Sequence, residues 1–130
     1  MSLELLMLIW SAILAFAQMI IATAGCALQF GPRVLAGNRD RLPAPTGWAG
    51  RAQRAHRNML ESLVLFAVLI LVTEVTNKND FYTGLGAQIF FWARLAYAVI
   101  YIAGVPWLRT AVWLVSVVGL GLILIKLPLY

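Results

Sequence analysis

The sequence predicts an all-α membrane protein, four transmembrane helices packed as an antiparallel bundle. Three observations predict it. The chain of 130 residues is 62% hydrophobic and only 12% charged, where a soluble domain is nearer half apolar and a quarter charged. Its apolar residues fall into four stretches, each close to the roughly 20 residues that a helix needs to cross a bilayer. Its arginines gather beside two of the three connections, so the two ends of the bundle differ in charge.

The first span covers about 3–28. Gln18 is its only strongly polar interior residue, and Glu4 stands at its extreme end. Met1–Glu4 carries no Lys or Arg, so the basic start of a signal peptide is missing and the segment reads as a retained span. Cys26 lies inside this span and reads as a small buried hydrophobe; one thiol supplies no internal disulfide. The long connection, about 31–50, is rich in Pro, Gly and Arg, which are loop and turn signals. Arg39 and Arg41 within it read as loop-surface or topogenic charges. The second span, about 56–75, is prolonged on its N-terminal side by the polar helix start Arg51–Glu61. The third, about 81–103, is interrupted by Arg94, and the fourth, about 108–127, has Lys126 at its end. The connections Thr76–Asp80 and Gly104–Pro106 are tight, which makes antiparallel neighbours of the helices they join. The whole chain is one domain.

The charges set the topology. Arg33, Arg39, Arg41, Arg51, Arg54 and Arg57 lie in the first connection and the helix start behind it, and Arg109 follows the third connection. The second connection has only Lys78, beside Glu74 and Asp80. The positive-inside rule then puts the first and third connections in the cytoplasm and both termini on the non-cytoplasmic side. The net charge of +5 comes from bases flanking spans, so it points to anionic headgroups or an anionic small ligand and not to nucleic acid. Trp10, Trp48, Trp92, Trp107 and Trp113 stand mostly near predicted span ends and read as interface anchors.

Charge inside a membrane helix is costly and is kept to bind, to react or to hold subunits together. Arg54, Asn58 and Glu61 are spaced i, i+4 and i+7, so they share one helix face. The third span offers Arg94, Tyr97 and Tyr101, the fourth begins with Arg109-Thr110, and Arg33 ends the first. Arginine's planar fork suits carboxylates and phosphates. A carboxylate with an amide suits an ammonium group or backbone N–H donors. A small zwitterionic peptide with several carboxylates fits this set, and apolar walls suit a lipophilic second reactant. A thiol in the first ligand would be favoured as the thiolate by a nearby arginine. The competing structural reading pairs Glu61 with Arg94 or Arg54 to offset desolvation and uses the tyrosines to cap a helix contact. His56 has no Cys or carboxylate at ligand spacing, so no metal is expected.

Arg51-Ala-Gln-Arg54-Ala-His-Arg57-Asn58-Met-Leu-Glu61 resembles the Arg-Ala-x-x-Asn-x-x-Glu signature of the MAPEG family, the membrane-associated proteins in eicosanoid and glutathione metabolism. Ala93-Arg94-Leu-Ala-Tyr97-Ala-Val-Ile-Tyr101 resembles the family's third-helix pattern, and Pro106-Trp-Leu-Arg109-Thr110 its segment entering the fourth helix. The resemblance covers nearly the whole chain and looks like the bacterial branch, which implies an inner-membrane location. It implies a homotrimer with glutathione, as cosubstrate, held between subunits near the cytoplasmic face. Arg54, Asn58, Glu61, Arg94, Tyr97 and Tyr101 would bind glutathione, Arg109 would stabilise its thiolate as the catalytic residue, and Arg33 would assist. The implied activity is a membrane-bound glutathione transferase acting on lipophilic electrophiles, with peroxidase activity as an extension. Ser62 and Thr110 depart from the eicosanoid-forming members, so eicosanoid synthesis is not implied. The alternative is a non-catalytic membrane subunit or lipid-binding structural protein of the same fold. A small exporter ranks last, because that class needs a deep carboxylate in the first span.

Overall fold

Each of the four apolar stretches folds as one long helix. The computed structural model describes residues 1–37 and 43–127, so Arg39 and Arg41 lie outside the described residues. The helices are α1 (Leu3–Phe30), α2 (Pro32–Ala36), α3 (Gly47–Val75), α4 (Phe81–Ala103) and α5 (Pro106–Leu124). All but the short α2 are long and apolar enough to cross a membrane, and the chain is an integral membrane protein.

Two boundaries differ from the sequence expectation. α3 begins at Gly47, well ahead of the expected span, because the polar stretch Arg51–Glu61 continues the same helix. α5 begins at Pro106 and closes at Leu124, leaving Lys126 beyond its end. Proline suits the first helical turn, where its missing N–H has no partner to lose.

Hydrogen bonds at the two ends fix the directions. At one end Ser2 caps α1, accepting from the Leu5 N–H at 3.2 Å, and its hydroxyl donates to the Glu74 carboxylate at the close of α3. Thr83 Oγ1 of α4 donates to Glu4 Oε1 at 2.5 Å. At the other end the Gln29 side chain donates to Thr46 O at 2.6 Å and accepts from Thr46 N at 3.0 Å. There, too, Arg51 Nε donates to Ile102 O at 2.8 Å, joining the start of α3 to the close of α4. α1 and α4 therefore run one way and α3 and α5 the other.

α1 buries Glu4, Met7, Ser11, Ala15, Gln18, Ala22 and Gly25. These steps of three and four residues make the seam of a left-handed helix pair. Gln18 thus faces protein, not lipid. Glu4, at the very start of the span, is only 3% exposed. At mid-bundle the rings of Phe66 and Phe90 stack with centroids 4.1 Å apart, and Met59, Ile70, Ala87 and Ile123 are fully buried in the same core.

The four seams are not equal. α4 packs on α5 so closely that a Cβ at Gly86 would stand 2.6 Å from the Gly119 carbonyl oxygen, and one at Gly119 would stand 2.7 Å from that of Gly86. Small residues are what permit such an approach between membrane helices. α1 and α3 are also closely joined, whereas α3 and α5 touch only sparsely. That loose seam holds the site.

Candidate functional site

Three helices converge on the end where α3 and α5 begin. α3 presents Arg54, Asn58 and Glu61 at one-turn intervals, α4 presents Arg94, Tyr97 and Tyr101, and Arg109 stands in the first turns of α5. Arg94 Nη2 donates to Asn58 Oδ1 at 2.5 Å. Arg54 Nε donates to the Tyr101 hydroxyl at 3.3 Å. The Arg94 guanidinium lies 4.3 Å from the centre of the Tyr97 ring, and that of Arg109 lies 4.6 Å from the centre of the Tyr101 ring. The two tyrosine rings are 5.5 Å apart. Arg54, Asn58, Arg94, Tyr97, Tyr101 and Arg109 therefore form one connected group.

The group borders a groove that follows the α3–α5 seam. Its outer recess, about 170 Å³, is lined by Asn58, Tyr97, Arg109, Thr110 and Trp113. Asn58 and Trp113 also line the next recess, about 220 Å³, together with Glu61, Ser62, Leu65 and Ser116. Leu65, Val117 and Leu120 carry the groove on into a third section of about 360 Å³ with aliphatic walls. The groove is basic at its mouth and wholly apolar at its far end.

The charges at the mouth have no counter-charge of their own. Arg94 is 1% exposed, and its Nε and Nη1 atoms have no hydrogen-bond partner. Among the described residues the one ion pair is Lys126–Asp80, at the opposite end of the bundle. No ion pair joins Glu61 to Arg94 or Arg54; Glu61 is exposed and faces the groove beside Asn58. Neither α3 nor α5 has an acidic residue in its first turn. Helix N-termini carry the positive end of the backbone dipole, so arginine there adds to a field that is already positive. An anion would relieve it, and forked arginine donors with phenol hydroxyls match a ligand rich in carboxylates.

Arg33 is not part of this group within one subunit. Gly31, at φ +87°, breaks the chain out of α1, and Arg33 sits exposed on α2, which packs against α1 alone. Sequence reasoning missed Trp113, read as an interface anchor, which lines the groove. Its spacing of i+4 from Arg109 was the available signal, since it puts both on one helix face. His56 and Cys26 border a separate recess, about 200 Å³, with Gln53 and residues of α1. No group of His, Cys, Asp or Glu able to hold a metal ion occurs among the described residues.

A search of protein families matches residues 7–128 to the MAPEG family. No curated protein and no solved structure matches the chain.

Proposed function

The chain belongs to the MAPEG family, a glutathione-related membrane enzyme family, and from that premise we propose that it is a membrane-bound glutathione transferase working at the basic mouth of the α3–α5 groove. The observation that carries this reading is the group of arginines left without carboxylate partners beside a groove that turns apolar. Arg54 and Asn58 hold carboxylate and amide groups of glutathione, and Glu61 takes its ammonium group. Arg94 fixes Asn58, and Tyr97 and Tyr101 supply hydroxyl contacts. Arg109 faces the sulfur and stabilises the thiolate.

In the reaction the thiol proton leaves to solvent and the thiolate attacks the electrophilic carbon. With an aryl halide the C–S bond forms, the carbon–halogen bond breaks and the halide departs with its electron pair. Arginine stabilises the sulfur charge before attack. A homotrimer is part of the proposal: Arg33 fits it by reaching the groove of a neighbouring subunit. So is an orientation with both termini on the non-cytoplasmic side of a bacterial inner membrane, since the groove's basic mouth then opens to the cell interior.

Isothermal calorimetry of the purified protein with glutathione tests the reading. Saturable binding at millimolar concentration or tighter is expected. An absence of heat in that range, with copurified lipid instead, returns the chain to the alternative of a non-catalytic, lipid-binding subunit.

A further inference from the structure

We propose that the apolar end of the α3–α5 groove receives the hydrocarbon part of the electrophile, and that Gly121 sets how much bulk it admits. This rests on the glutathione reading, which places the second reactant beside the groove's basic mouth.

Continuity is the first support. The apolar section shares Leu65, Val117 and Leu120 with the recess that holds Asn58 and Glu61, so a molecule reacting at the mouth has one unbroken wall to follow. Its volume, about 360 Å³, lies in the range of small-molecule pockets. At the transition the hydroxyls of Ser62 and Ser116 donate to their own helices, to Met59 O at 3.0 Å and Trp113 O at 2.6 Å. Their protons are already engaged, so an alkyl chain passing them strands no donor.

Gly121 is the second support. A Cβ at Gly119 would strike the Gly86 backbone, but a Cβ at Gly121 would meet nothing within 4 Å. Helix packing therefore explains the glycine at 119 and not the one at 121. The space a side chain at 121 would take is the groove itself. It lies about 18 Å along α5 from Arg109 at 1.5 Å per residue, deep enough to sense the far part of an elongated molecule and too far to touch the sulfur.

The test compares wild type with Gly121→Phe and, from the opposite wall, Val68→Phe. Conjugation is measured with a small aryl halide and with the same aryl halide bearing a long alkyl chain. In both variants kcat/KM for the alkylated substrate should fall about tenfold or more while that for the small one stays within about twofold, because only an apolar section filled by the tail feels the added ring. Glutathione affinity by calorimetry should not move. An unchanged ratio of the two substrates overturns the proposal. So does a changed oligomeric state, which would mean that a second copy covers the groove, or a loss of copurified phospholipid, which would make a lipid chain the occupant. A diazirine-tagged alkyl aryl halide, irradiated and mapped by peptide mass spectrometry, separates this proposal from the enzymatic one. Labels on Leu65–Leu69 and Val117–Leu124 that vanish in Gly121→Phe support the groove even where no turnover occurs, and their absence in wild type overturns it.

Discussion

Where α1 and α4 begin, the carboxylates are satisfied: Glu4 accepts from Thr83, Glu74 from Ser2 and Asn79, and Asp80 caps α4 through the Thr83 N–H. Where α3 and α5 begin, Arg54 and Arg109 stand near the helix starts and the buried Arg94 has donors to spare. The first arrangement agrees with the helix dipole, which favours anions at N-termini, and the second opposes it. Residues that hold a fold together need no such opposition. The difference separates an end made for stability from an end made to receive an anion, and it does so without reference to any ligand.

The largest expected effect breaks the basic end alone. Arg109→Ala should lower kcat toward an aryl halide by about a hundredfold or more, the usual scale for one preorganised charge on a developing anion. Its thermal midpoint should barely move, because Arg109 makes no ion pair among the described residues; a parallel loss of stability would make it a structural residue. Asn58→Leu comes next. It removes the protein partner of Arg94 and should cost roughly 1.5–3 kcal/mol, the range for a hydrogen bond to a charged group, as well as weakening glutathione binding. Unfolding in detergent and calorimetry read the two losses separately. At the satisfied end, Asp80→Ala removes the capping box of α4 and should cost about 1 kcal/mol with glutathione affinity unchanged. A fall in affinity there would show that the two ends are coupled and would dissolve the contrast. The smallest effect is that of salt. Raising ionic strength from roughly 0.05 to 0.5 M should weaken glutathione binding a few-fold through screening and leave the unfolding midpoint nearly fixed.

Much of this was legible beforehand, for physical reasons. The α4 boundaries follow from an apolar run closed by Asp80 and Gly104, and the shared face of Arg54, Asn58 and Glu61 follows from helical period alone. Helical period does not report which neighbour a face meets. Asn58 turned out to hold Arg94, while Glu61, the expected partner, holds neither Arg94 nor Arg54. Arg33 was read as the end of the first span, but the turn at Gly31 carries it onto a separate helix. The burial of Glu4 was hidden because its partner, Thr83, is remote in sequence and polar on its own account. The groove was the least legible feature of all. It comes from helices that fail to pack, and Gly119 and Gly121, alike in sequence, differ only in what stands opposite them.

The loose contact between α3 and α5 has one more consequence. Val68, Val117 and Leu124, on the groove's margins, are also exposed to the surroundings of the bundle, so the seam opens sideways to the fatty acyl phase and not only to water. A compound dissolved there arrives by lateral diffusion, already stripped of its hydration shell. Its oil–water partition coefficient, more than its aqueous concentration, then governs how often the seam is filled.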